Sequence, residues 1–442
     1  MQAMTSTQQL TDLSVLRPGD PGYDDELAGF QTGFAQRPDI VVPAGSAADV
    51  AAAVRYAAER GLPVGVQATG HGLPGPTEGG VLVTTRRMDR VTVDPEARTA
   101  RVQAGVRWGQ VVAAAEPYGL APLNGSSPSV GAVSYTLGGG LGILARRFGY
   151  AADHVRSLDV VTADGRPRHV TPESELYWGL LGGGHTLGVV TELEIGLVPV
   201  RTLYGGSLAF DGREVGPAAV LRAYEEWTRT VPDGLTSSFA ALPYPDVPEL
   251  PSRLRGRYVI SVQVAYTGPD GDRLVAPLRR IGPVLADSLR EMPYAENHTI
   301  HGDPDLPHAY YGDSAVLREM DTGRVADLLA RTGPEAGAMC VVQINHLGGA
   351  LAEPAPNSVP YREGTFLVRL LTTADRERAR EILDPAFGLL APVTLGRALN
   401  FALGAGDRGA GLYDAGTRKR LAGLKSRYDP ANLFRRNYGV SG

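Results

Sequence analysis

Gly125-Ser126-Ser127-Pro128-Ser129-Val130-Gly131-Ala132-Val133-Ser134-Tyr135-Thr136-Leu137-Gly138-Gly139-Gly140-Leu141-Gly142 is the stretch around which the chain is organised. Three consecutive glycines, Gly138 to Gly140, are followed by Gly142, and small residues fill most of the run before them. Such a run has too few side chains to build a core. It suits the approach of bare backbone N–H groups to a ligand, because glycine allows dihedrals and approach distances that a Cβ forbids. The ligand it suits is large, flat or polyanionic. Upstream, Gln67-Ala68-Thr69-Gly70-His71-Gly72 is a second glycine-rich loop, with a histidine held between two glycines. Downstream, Gly182-Gly183-Gly184 is a third. Together the three loops imply a nucleotide-sized cofactor.

At 442 residues the chain has room for two or three domains. Its 43% hydrophobic and 21% charged residues are those of an ordinary soluble protein. A net charge of −5 without a basic cluster argues against a nucleic-acid partner. No apolar run approaches the ~20 residues of a membrane span, so no membrane partner is expected. The first residues lack the basic-then-apolar order of a secretory signal, which makes the cytoplasm the expected compartment. The single cysteine, Cys340, excludes an intramolecular disulfide and any multi-cysteine metal site, and no metal is expected. The expected assembly is a monomer or homodimer.

Read in order, the chain opens with a β-α-β unit. Asp39 to Pro43 is a short buried strand, Ser46 caps a helix from Ala47 to Arg60, and Leu62 to Val66 is the next strand, leading into the His71 loop. Val81 to Val83, Val91 to Asp94 and Thr99 to Val102 read as consecutive strands, and Trp108 to Tyr118 as a helix. Leu158 to Thr162 and Arg168 to Val170 form a hairpin, Glu173 to Leu181 a short helix, and Gly188 to Leu197 a strand. From Leu203 to about Val393 long strands such as Tyr258 to Tyr266 and Met339 to His346 alternate with helices at Ala218 to Arg229, Asp272 to Ile281 and Arg376 to Leu390. A wide antiparallel sheet with helices on one face is the economical reading. A last helix spans Ala415 to Tyr428. The fold class is α+β.

Gly70-His71-Gly72-Leu73-Pro74-Gly75 matches G-x-G-x-x-G after a strand, but a dinucleotide fingerprint must open a helix at once, and Pro74, Pro76, Gly79 and Gly80 forbid one. Phosphate-loop, zincin and hydrolase-elbow motifs are absent. His71, without neighbouring side-chain cover, suits a residue that touches a ligand. Ser127 has no base near it in sequence. Cys340 reads as a buried apolar residue. His346, at a strand end, divides evenly between sheet surface and substrate pocket, and Tyr310 and Tyr311 lie on a loop or helix start.

Gly70-His71-Gly72, Ser127-Pro128-Ser129-Val130-Gly131, Leu137 to Gly142, Gly149 to Asp153, Trp178, Gly182 to Gly184 and Gly188-Val189-Val190-Thr191, with Tyr428 to Phe434 and Asn437 near the end, resemble the FAD-linked oxidases of the berberine-bridge-enzyme type, in the vanillyl-alcohol-oxidase superfamily. The resemblance covers essentially the whole chain. It implies a two-lobed fold with a PCMH-type FAD-binding domain, its N-terminal part at 1–203, a substrate domain at 204–395 and a segment at 396–442 returning to the FAD domain. It implies FAD joined covalently to His71 at the flavin 8α methyl. The cysteine that makes a second bond in many members is Ser127 here, so attachment by histidine alone is expected. The implied cofactor-binding residues are Ala68, Thr69, Gly70, His71, Gly72, Ser127, Ser129, Val130, Gly131, Tyr135, Gly138, Gly139, Gly140, Gly142, Gly188, Val190 and Asn437.

The activity implied is hydride transfer from a small organic substrate, such as an alcohol, hemiacetal or amine of a secondary metabolite or sugar, to the flavin, with O₂ as reoxidant. A flavin monooxygenase or redox-neutral cyclase on the same scaffold, and a non-catalytic flavin-binding protein, are the alternatives. Relatives place a catalytic tyrosine in Tyr-x-Asn before the tail; the matching residues are Ala398-Leu399-Asn400. With Ala398 unable to serve, Tyr310, Tyr311 and His346 are the candidate bases.

Overall fold

A computed structural model describes residues 14–248, 250–404 and 409–436. The apolar strands Ile40–Pro43 and Val64–Gln67 are joined by the helix Ala47–Glu59, which Ser46 starts by accepting the Asp49 N–H. The two strands do not pair with each other. Both run parallel to Val81–Thr84, which sits between them. Parallel strands need such a crossover, and Val50, Ala53, Val54 and Ala57 of the helix pack into the same core as the sheet. A second, antiparallel sheet has the order Val91–Asp94, Thr99–Gln103, Val189–Gly196, Val155–Val161, Pro167–Val170. The strands expected in series at 81 to 102 therefore divide between two sheets. The helix expected at Trp108 to Tyr118 is α-helical over Trp108–Ala115 and then tightens to a 3₁₀ turn, Glu116–Tyr118, where Pro117 enters.

The third sheet has nine strands. Its order is Ala286–Asp287, Thr202–Asp211, Tyr258–Tyr266, Thr236–Pro243, Cys340–His346, Phe366–Thr372, Tyr311–Leu317, Thr394–Gly396, with Arg290–Pro293 also on Thr202–Asp211. All its pairs are antiparallel. Tyr311 thus opens a strand rather than a loop or helix. Helices Pro217–Thr228, Thr322–Arg331 and Arg376–Leu390 share one core with Phe239, Ile260, Val262, Val342, Ile344 and Val368. The helix expected over Asp272 to Ile281 breaks at Pro277, into Gly271–Val275 and the 3₁₀ turn Leu278–Arg280. Because side chains alternate along a strand, Ser238, Ser261, Gln263, Gln343, Asn345 and Arg369 take the opposite face.

Two further features bear on the site. Within the glycine-rich stretch, Ala132–Leu137 is a short helix whose Ala132, Val133 and Leu137 join the core around Trp108 and whose Thr136 is also buried. That part of the run does pack; only the glycines after it are bare. The last helix, Ala415–Tyr428, brings Leu433 and Phe434 back into the core of the parallel sheet, where the Leu433 carbonyl accepts the Val64 N–H at 2.9 Å. No helix among the described residues is long and apolar enough to cross a membrane.

Candidate cofactor site and substrate cleft

Strand Val64–Gln67 delivers the loop that carries His71. The Phe30 and Gln31 N–H groups donate to the Thr69 and Gly70 carbonyls at 2.9 and 3.1 Å, strapping the loop to residues 29–31. Gly70 lies at φ +72, and a Cβ there would meet the Gly29 Cα at 2.8 Å, so this crossing requires glycine on steric and conformational grounds. The His71 ring stacks on Phe30, with centroids 4.0 Å apart and planes within 11°. Its Nδ1 lies 2.9 Å from Thr69 Oγ1 and its Nε2 3.1 Å from Ser129 Oγ. Ser127 Oγ is 2.9 Å from Ser129 Oγ, so a string of polar side chains ties the histidine loop to Ser127-Pro128-Ser129. Burial and the nearby Arg107 hold the imidazole at a pKa of about 4. At neutral pH the ring is uncharged.

The residues present fit FAD. The backbone N–H groups of Thr69, Gly70, His71 and Gly72 donate to no acceptor among the described residues, an arrangement suited to a pyrophosphate. The glycine-rich run forms a second wall. Gly140 lies at φ +77, and a Cβ on it would come within 2.6 Å of Tyr135 and 2.7 Å of Ala151. A Cβ on Gly138 would run into the Asn400 side chain, whose Nδ2 donates to the Tyr135 carbonyl at 2.9 Å. Tyr135 packs edge-on against Trp108, and its hydroxyl is buried without a partner. Ala68 is buried and Gly131 pairs with Arg107. Gly139 lies at φ +106 beside Val359, and the Gly142 carbonyl accepts the Ala145 N–H. Gly188 packs on Val160, and Val190 is wholly buried in the five-stranded sheet's core. Val190 therefore presents no side chain to a ligand. Asn437 lies outside the described residues.

Between the glycine-rich run and the polar face of the large sheet is an open cleft. Leu141, Ile143, Ile300 and Phe401 form apolar walls, and Ser238, Gln263, His301, Gln343, Asn345 and Arg369 supply the polar groups. Ser238 donates to Gln263 Oε1 at 2.9 Å and accepts from Gln343 Nε2 at 3.3 Å. Asn345 Oδ1 and Arg369 Nε are buried without partners. Ser126, one residue before Ser127, lines the same cleft and hydrogen-bonds Asp303. The cleft thus adjoins the loop that His71 contacts.

None of the three proposed bases lines this cleft. The Tyr310 hydroxyl donates to the His71 carbonyl at 2.6 Å, and burial pushes its pKa up, so it holds the histidine loop as a protonated phenol. The Tyr311 hydroxyl donates to the Gly33 carbonyl at 2.9 Å, with its ring against Phe34 on the helix-covered side. His346 has the strand parity of Cys340, Val342 and Ile344, and so also points to that side. It stacks on Phe366 and accepts from Arg146 at 3.0 Å, and burial lowers its pKa to about 3. Tyr311→Phe and His346→Gln are expected to leave the flavin reduction rate within a few-fold of wild type, where losing a general base costs ~10²–10⁴-fold. Stopped-flow reduction decides this, and a loss of that size in either variant returns the residue to the site. The cleft residues that sequence reading missed carried a signal. Gln343 and Asn345 are the polar members of Cys340-Val341-Val342-Gln343-Ile344-Asn345, and Arg369 is the lone charge in Phe366-Leu367-Val368-Arg369-Leu370-Leu371.

Residues 38–171 match the FAD binding domain family. Along 96% of its own length and 96% of the relative's, the chain is 28% identical to (R)-6-hydroxynicotine oxidase of Paenarthrobacter nicotinovorans. The crystal structure of 6-hydroxy-D-nicotine oxidase from Arthrobacter nicotinovorans superposes with a TM-score of 0.82 at 26% identity, covering 97% of this chain and 98% of that one. The xylooligosaccharide oxidase of Myceliophthora thermophila shares the fold, with a TM-score of 0.84 at 21% identity over 99% of each chain. With unpaired amides beside a clamped histidine, a glycine-walled site and an adjoining cleft, the chain is an FAD-linked oxidoreductase of the PCMH type.

Proposed function

We propose that the protein is a covalent flavoprotein oxidase of a small organic substrate, with His71 as the single point of attachment. FAD, when bound, supplies a two-electron acceptor for a hydride from a substrate carbon and returns the electrons to O₂ as H₂O₂. Thr69 to Gly72 offer their amides to the pyrophosphate, and the neutral His71 ring, fixed by Thr69, Ser129 and Phe30, offers a nitrogen lone pair at neutral pH. Ser127 has no thiol to make a second bond. Residues 1–203 with 396–442 hold the cofactor in this reading, and 204–395 supply the sheet against which the substrate lies. A role in secondary metabolism suits the amide-rich, apolar-walled cleft.

The observation that carries the reading is the uncharged His71 held between two hydroxyls beside four unpaired amides, with the cleft next to it. A peroxidase-coupled assay across alcohols, hemiacetals and amines tests it, with stoichiometric H₂O₂ expected. Incorporation of labelled oxygen into product without H₂O₂ replaces it with a monooxygenase.

Val130 is half-buried at the end of the Ser127 loop, its carbonyl taken by the Trp108 N–H at 3.0 Å. The three-carbon valine side chain there leaves more room than the four-carbon side chain of a leucine. Val130→Leu is expected to slow reoxidation of the dithionite-reduced enzyme by air while leaving anaerobic reduction by substrate unchanged. Equal reoxidation rates would place oxygen access elsewhere.

A further inference from the structure

Inside the substrate lobe and along its border with the cofactor lobe, three enclosed arginines have carboxylate partners. Arg146 pairs with Asp233 at 3.2 Å, Arg362 with Asp153 at 2.6 Å and Arg397 with Asp313 at 2.7 Å. Arg369 is different. Its guanidinium makes no hydrogen bond or ion pair with any described residue, and its Nε is buried and unpartnered. It lies 4.3 Å over the Phe401 ring, which holds the planar group by its face and leaves the N–H edge for another partner. The carboxylate whose charge acts on Arg369 is Asp303, which accepts from the Ser126 hydroxyl and forms no salt bridge with the guanidinium. Among the described residues, no aspartate or glutamate lines the cleft. Burial lowers the Arg369 pKa to about 10, so the group stays cationic at neutral pH.

A second donor lies close by. Gln343 Nε2 is 3.3 Å from His301 Nδ1. The amide N–H donates, so Nδ1 accepts and the proton of the neutral ring sits on Nε2. Burial favours that neutral form. Among the remaining lining groups, the unpartnered Asn345 Oδ1 is the only orphaned acceptor, against an orphaned cationic donor. A buried charge without a counter-ion is costly, and a ligand that brings the counter-charge removes the cost. The walls of Leu141, Ile143 and Ile300 favour a partly apolar body.

We infer that the cleft selects an organic anion, and that Arg369 is the specificity-determining residue that receives its carboxylate or phenolate oxygen. This rests on the oxidase reading and narrows its substrate class: neutral sugars and amines lack the charge that the cleft is short of.

The test uses purified holoenzyme and three probes that share one ring but differ in charge: benzoate, benzamide and benzylamine, titrated by calorimetry. Benzoate is expected to bind about ten-fold or more tighter than benzamide, the range of a buried charge-assisted hydrogen bond, with benzylamine weakest. Arg369→Gln is expected to bring benzoate to the level of benzamide while benzamide stays as in wild type. Arg369→Lys, which keeps the charge but not the fork, retains part of the preference. The inference is overturned if benzamide or benzylamine binds as well as benzoate, if benzoate does not bind at millimolar concentration, or if Arg369→Gln weakens all probes alike. Flavin absorbance in the same samples reports folding of each variant. Flavin content and H₂O₂ production judge the oxidase reading independently of probe binding.

Discussion

Denatured wild-type protein is expected to stay yellow, with one flavin–peptide bond mapping to His71, whereas His71→Ala releases all its flavin on denaturation. A nitrogen nucleophile must be uncharged and fixed in place. Burial and Arg107 supply the first condition, with the ring pKa at about 4, so protonation does not compete above roughly pH 5. Thr69, Ser129 and the Phe30 face supply the second, and Tyr310 fixes the backbone beneath by bonding the His71 carbonyl. Ser127 cannot substitute, because a hydroxyl is scarcely ionised at pH 7 whereas a thiol partly is. His71→Ala keeps the loop amides and the glycine walls, so it should still bind FAD reversibly. Peptide mapping with acid-precipitated protein is the measurement. Free FAD from denatured wild type, or an adduct on another residue, removes His71 from the role.

Asp429→Ala should destabilise the holoenzyme by about 3 kcal/mol or more, the cost of leaving a buried cation without its partner. Asp429 is fully buried and pairs with Lys425 at 2.6 Å in the last helix. Its two oxygens also accept the Leu433 and Phe434 N–H groups at 2.6 and 2.9 Å. Lys425 donates further to the Thr186 carbonyl at 2.9 Å. This carboxylate therefore sets the turn that returns Leu433 and Phe434 to the core of the parallel sheet, where Leu433 receives the Val64 N–H just before the histidine loop. Loosening it should lower both the thermal midpoint and the fraction of protein carrying covalent flavin. Asp429→Asn, which keeps an acceptor but not the charge, should fall between. An unchanged melting curve for Asp429→Ala would show that the tail docks by its apolar residues alone.

Local pattern determined much of this protein. The capped helix at Ala47–Glu59, the helices Arg376–Leu390 and Ala415–Tyr428, and the strands around them follow from periodicity, caps and glycine stops, which act within a few residues. The His71 loop was legible because proline and glycine after it forbid a helix. The cleft was not legible in the same way. Tyr311 and His346 are polar residues at the ends of strands, and their chemistry invited a catalytic role. Strand parity turns both toward the helices, while the alternate residues Gln343 and Asn345, and Arg369 on the next strand, face the glycine-rich run. A strand's two faces are equivalent until something covers one of them, so only packing of the helices on one side and the glycine-rich run on the other decided which residues line the cleft.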